Sequence, residues 1–132
     1  MKYMLDTNIC IYVIANRSLE LVEKFREKDS DGIGVSVIVA SELAYGVAKS
    51  RMVEKNRATL DVFLNSLNVQ AMTDTVIWHY ADLRCKLERQ GNIIGENDQW
   101  IAAHALASNA ILVTNNRKEF DRVDGLRVEN WV

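Results

Sequence analysis

Three carboxylates, Asp6, Glu42 and Asp98, stand at positions where a merely solvated charge is out of place. Asp6 follows Met4-Leu5 directly and leads into Thr7-Asn8, and Asp98 lies near the start of the apolar segment Asn97-Asp98-Gln99-Trp100-Ile101-Ala102-Ala103-His104-Ala105. Glu42 sits among Val39, Ala40, Leu43 and Ala44. An unpaired carboxylate is costly in such a stretch, so a metal or a salt bridge is expected there in place of water. Two amides, Asn115 and Asn116, follow the apolar run Ile111 to Thr114. No His or Cys joins these residues in a nucleophile or soft-metal motif. Carboxylate and amide oxygens without soft ligands suit a hard divalent cation, Mg²⁺ or Mn²⁺, which binds a few carboxylates and keeps several waters. Such an ion acidifies a bound water and neutralises charge on a phosphate, the chemistry of phosphodiester hydrolysis. Structural roles compete for the same residues: Asp6 can serve as a helix N-cap, and an acid at position 98 is favoured by the helix dipole.

The elements that must position these groups follow from apolar periodicity. Lys2 to Leu5 reads as a short buried strand, with Asp6-Thr7-Asn8 capping a helix from Ile9 to Ala15. Helices are predicted over Ser18 to Lys28, Val37 to Ser50, Val53 to Leu67 and Thr75 to Gln90, the last closed by Gly91. Asn97 is expected to cap a helix running to Ser108, and Asn115 to Phe120 to form a short one. Strands are predicted over Ile33 to Ser36, Val69 to Met72, Ile111 to Thr114 and Leu126 to Glu129. Strands alternating with helices of this length call for βαβ units, hence an α/β/α sandwich with a central, mainly parallel sheet. In such sheets ligands bind beyond the carboxyl ends of the strands, where Asp6, Asn115 and Asn116 fall.

Composition sets the frame. The chain has 132 residues, 48% apolar and 26% charged, which suits one globular domain spanning residues 1–132. No apolar run approaches the ~20 residues of a membrane span, and no signal peptide is evident, so a cytoplasmic protein without membrane contact is expected. Sixteen Lys and Arg against 18 Asp and Glu give a net charge of −2, which argues against gripping nucleic acid by bulk charge. Cys10 and Cys85 have no metal spacing and read as reduced core residues.

These residues, in this order, resemble the PIN-domain ribonucleases and, within them, the VapC-type toxins of bacterial toxin–antitoxin pairs. The likeness runs through Met4-Leu5-Asp6-Thr7-Asn8, Ser41-Glu42-Leu43-Ala44-Tyr45-Gly46, Ile94-Gly95-Glu96-Asn97-Asp98, Leu112-Val113-Thr114-Asn115-Asn116, Glu119-Phe120 and Asn130-Trp131. The resemblance implies a PIN fold whose carboxylates bind Mg²⁺, with Mn²⁺ as substitute, and cut RNA. Asp6, Glu42 and Asp98 match the family's three acids. The fourth position, commonly an acid, is Asn116 here; an amide can coordinate but brings no charge and cannot act as a base. Glu119, one turn on, is placed to supply the missing carboxylate. One tightly bound metal is therefore expected, with a second recruited by the RNA. The resemblance further implies a VapB-type antitoxin partner, a homodimer within a hetero-oligomer, contact with operator DNA only through the antitoxin, and tRNA as substrate, with the initiator-tRNA anticodon stem-loop favoured.

Other readings stand beside it. Asn116 motivates a catalytically silent module that binds RNA or protein without cutting. A haloacid-type phosphatase would need an acid where Asn8 stands, and a phosphotransfer receiver an acid pair and a late-strand Lys that the sequence lacks. Trp78, Trp100 and Trp131 can stack on bases or fill a core or an interface. His79 and His104 are expected to be structural. The basic stretches Lys49, Arg51, Lys55, Arg57 and Arg84, Lys86, Arg89 read either as solvated helix faces or as phosphate contacts. Val62, Phe63, Leu64 and Leu67 make their helix apolar on more than one face, which favours a protein partner.

Overall fold

The computed structural model describes residues 1–132. The strands are β1 (Tyr3–Leu5), β2 (Ile33–Ser36), β3 (Asn68–Gln70), β4 (Ile111–Val113) and β5 (Val128–Glu129). The helices are α1 (Thr7–Ile14), α2 (Leu19–Lys28), α3 (Val37–Ala48), α4 (Val53–Asn65), α5 (Ile77–Arg89), α6 (Glu96–Ala107) and α7 (Arg117–Phe120).

Every strand pairing is parallel, in the order β3-β2-β1-β4-β5. The central strands are buried on both faces, as a sheet covered by helices demands. Tyr3, Met4, Leu5, Val35, Leu112 and Val113 join Ile9, Leu21, Val39, Ile101 and Phe120 in one core. The edge strands β3 and β5 are short and more exposed, which limits pairing with other chains. Because the chain steps from β1 to β2 on one side and reaches β4 on the other, the winding reverses between β1 and β4. That reversal is where parallel α/β sheets open a crevice. No helix is long and apolar enough to cross a membrane.

Several local expectations differ from the structure: α1 starts two residues early, β3 ends two residues early and β5 starts two residues late. The α6 helix starts at Glu96 with Gly95 as its N-cap, so Asn97 does not cap it but occupies the first turn; the Gln99 N–H donates to the Gly95 carbonyl at 3.0 Å, two residues earlier than an Asn97 cap would allow. The short helix begins at Arg117, with Asn116 as N-cap. Cys85 is exposed, unlike the buried Cys10, because α5 faces the core with Leu83 and Leu87 and position 85 lies about 200° around the helix from Leu83. Gly91 ends α5 as expected. At φ +68° it lets its own N–H reach the Glu88 carbonyl and the Asn92 N–H reach the Leu87 carbonyl, the paired closure that favours glycine.

Candidate active site

Asp6 sits at the carboxyl end of β1, beside the end of β4. Its backbone N–H donates to the Val113 carbonyl at 2.8 Å, extending the ladder by one bond. Its side chain accepts two more bonds: Oδ1 from the Thr7 N–H at 2.8 Å and Oδ2 from the Thr114 hydroxyl at 2.8 Å. Thr114 is fully buried and its oxygen also accepts the Asn116 N–H at 2.9 Å. Asp6 is thus both the N-cap of α1 and a carboxylate clamped across the β1–β4 crevice. Burial raises its pKa, the bonds from Thr114 and Thr7 oppose that rise, and repulsion from Glu119 adds to it.

Glu42 projects from α3, half-buried, and its Oε1 accepts the Thr7 hydroxyl at 3.0 Å. Thr7 therefore serves both acids, through its N–H to Asp6 and its hydroxyl to Glu42. Asp98 lies in the first turn of α6 and receives no hydrogen bond from an N–H or hydroxyl. Its pKa rises to about 7, first through burial, then through a proton shared with Glu119, then through repulsion from Asp6, Glu119 and Glu42. Glu119, on α7, accepts the Asn116 side-chain amide at 3.3 Å. The fold thus gathers Asp6, Glu42, Asp98, Asn116 and Glu119, five residues from four separate stretches of chain, in one place.

Asp6, Thr7, Asn8, Glu42, Asp98 and Asn116 line a cavity of about 150 Å³ with no apolar residue. The donors facing it are the oxygens that Mg²⁺ and Mn²⁺ prefer, and burial, a proton shared with Glu119 and the surrounding like charges together push the Asp98 pKa up to about 7. No three His, Cys, Asp or Glu side chains converge closely enough to enclose an ion unaided. The set fits Mg²⁺ held by one or two carboxylates and otherwise through its own waters.

The sequence singled out neither Ser36 nor a role for His104 here. The Ser36 Oγ accepts the Ile38 N–H at 3.1 Å, capping α3, and pairs with His104 Nδ1 at 2.8 Å. Burial lowers the His104 pKa, so the imidazole is held neutral. This buried bond ties the start of the Glu42 helix to the middle of the Asp98 helix. A serine just before an apolar helix signals a cap; its histidine partner, distant in sequence, leaves no trace in spacing.

A PIN domain model matches residues 3–126. The chain is 47% identical over 137 residues to ribonuclease VapC2 of Rickettsia felis, covering 99% of this chain and 98% of that protein. It is 40% identical over 131 residues to the tRNA(fMet)-specific endonuclease VapC of Shigella flexneri, covering 99% and 98%. The crystal structure of VapBC2 from Rickettsia felis, bound to a DNA fragment from its promoter, contains a chain that superposes with a TM-score of 0.95 at 44% identity over 100% of each. With a carboxylate pocket at the winding reversal and relatives matched end to end, the chain belongs to the PIN-domain family, among the VapC ribonucleases.

Proposed function

We propose that this protein is a divalent-metal-dependent endoribonuclease acting as the toxin of a toxin–antitoxin pair, with Asp6, Glu42, Asp98 and Glu119 as its acids. The observation that carries the reading is the wholly polar carboxylate pocket at the β1–β4 crevice. Asp6, Asp98 and Glu42 would hold Mg²⁺, or Mn²⁺ in its place; when bound, the ion supplies an acidified water and charge neutralisation at the scissile phosphate. The protein's own part is positional. Thr114 and Thr7 fix the orientation of Asp6, Thr7 fixes Glu42, and Asn116 steadies Glu119 through its amide. Water attacks phosphorus in line, leaving a 5′-phosphate and a 3′-hydroxyl.

Transfer RNA is the favoured substrate, and the initiator anticodon stem-loop the favoured cut site, on the strength of the tRNA(fMet)-specific name of the Shigella flexneri relative. Cutting it would stop translation. A VapB-type antitoxin is the expected partner, in a hetero-oligomer built on a toxin homodimer. Promoter DNA would be reached through that antitoxin, as the Rickettsia felis complex suggests. The second reading, a silent RNA- or protein-binding module, is favoured only by the uncharged Asn116, and Glu119 beside it offsets that loss.

The test is cleavage of purified tRNA with Mg²⁺ and with a chelator, followed by end-mapping. A discrete Mg²⁺-dependent cut leaving a 5′-phosphate is expected, and Asp6→Asn should slow it by at least ~100-fold with the fold intact. Binding without cleavage, or cleavage indifferent to chelation and to Asp6→Asn, would overturn the assignment.

A further inference from the structure

The outer face of α3 carries groups that the carboxylate pocket does not use. Glu42, Tyr45 and Lys49 follow at spacings of three and four and form one stripe, about 10 Å long at the helical rise. Glu42 belongs to the pocket. Beyond it Tyr45 is 65% exposed, and the Lys49 Nζ lies 4.8 Å from the centre of the tyrosine ring. A cleft of about 670 Å³ follows the stripe, lined by Ser41, Tyr45, Lys49 and Asn97 and sharing Thr7 and Glu42 with the carboxylate pocket. Gly46 lines it too. A Cβ there would meet nothing within 4 Å, so no contact inside this chain requires glycine at a mid-helix position that disfavours it.

Charge distinguishes this side from the other basic stretch. On α5, Arg84 pairs with Glu88 at 2.9 Å and stacks on Tyr80, while Lys86 pairs with Asp124. Lys49, Arg51, Lys55 and Arg57 are exposed, and the chain's ion pairs, Arg84–Glu88, Lys86–Asp124 and Arg117–Asp121, include none of them. The cations around the α3–α4 turn therefore remain available to a polyanion beside a pocket that is itself acidic.

We propose that this cleft carries the RNA strand next to the scissile phosphate, with the Tyr45 ring stacking on an unpaired base and Lys49 and Arg51 binding the adjacent phosphates. The proposal rests on the nuclease reading and specifies how that site chooses its substrate. Aromatic stacking needs a base turned out of its helix, so the cleft selects loops and single strands over duplex. Lys49, already over the ring, adds a cation on the side where the phosphates run.

Stem-loop RNA cleavage is measured with Tyr45→Ala, Tyr45→Phe and Lys49→Gln, and binding of the same RNA is followed by fluorescence anisotropy across salt with each change placed on Asp6→Asn. Tyr45→Ala should raise KM and Kd ~5- to 100-fold with kcat little moved, and Tyr45→Phe should recover most of that loss because stacking uses the ring. Lys49→Gln should reduce the slope of log Kd against log salt by about 0.7, the share of one single-strand phosphate contact. Unchanged KM and Kd in Tyr45→Ala, or a loss confined to kcat, overturns the proposal. So does loss of antitoxin binding with RNA affinity intact, which would assign the ring to the protein partner. Should the unaltered protein cut no RNA, the nuclease reading fails on its own, and the anisotropy series still decides whether the cleft binds RNA.

Discussion

The two halves of the carboxylate pocket are built on opposite principles. At the strand ends, Asp6 is clamped by the Thr7 N–H and the Thr114 hydroxyl, and Thr114 is itself engaged by the Asn116 N–H. On the helical side, Asp98 has no N–H or hydroxyl donor and is hemmed in by Glu119, Asp6 and Glu42. Hydrogen bonds to a carboxylate favour its charged form, while burial among like charges disfavours it. One half fixes geometry with neutral donors; the other concentrates like charge, which a bound cation would relieve.

Breaking the first half should give the largest effect. Thr114→Val leaves Asp6 Oδ2 and the Asn116 N–H without partners, at a cost of about 1–3 kcal/mol in a denaturant titration. Cleavage should fall ~10- to 100-fold through loss of Asp6 orientation, with Thr114→Ser close to the original. The second half should respond with the opposite sign. Asp98→Asn removes a repelled charge and should stabilise the metal-free protein near pH 8 by about 1 kcal/mol, a figure discounted for the solvent that reaches this half-buried side chain, while weakening the rise in melting temperature on adding Mg²⁺.

Acidity sharpens the contrast. The folded-state pKa of Asp98, about 7, lies above its ordinary value of 3.8, so between those values the folded chain holds a proton that the unfolded chain has released. This group's contribution to stability is fully present below pH ~4 and is lost as the pH climbs through ~7. Melting curves in a chelator should show that decline for the unaltered protein and a flatter profile for Asp98→Asn, and Mg²⁺ should raise the melting temperature more at pH 8 than at pH 5. The smallest effect is a control from outside both halves. Gly46→Ala should stabilise by about 0.5–1 kcal/mol at either pH, since its Cβ meets nothing.

Much of this was legible in the chain. Short apolar runs ending in polar residues located β1, β2 and β4 to within a residue, because buried parallel strands need continuous apolar character. Glu42 announced itself as a carboxylate in an apolar helix. Glu119 entered only through the family resemblance, since an acid on a short helix of alternating charges carries no signal of its own. What stayed hidden depends on which faces meet. Periodicity names the buried face of α6 but not that His104 within it finds Ser36. Thr7 reads in the sequence as part of a helix cap, and its hydroxyl goes to Glu42. Cys85 was misplaced because its hydrophobic neighbours occupy the core stripe that it lies across from. The cap of α6 was misplaced because a glycine's backbone entered the helix before the better capping side chain of Asn97 was reached.

The Ser36–His104 bond has a bearing beyond local order. It joins the base of the Glu42 helix to the Asp98 helix at a buried point away from the pocket lining, so the spacing between the two acids is set from beneath. The pocket's gauge is thereby written into a serine–imidazole pair in the floor of the molecule, and a small displacement there would be read at the surface as a change in the separation of two carboxylates.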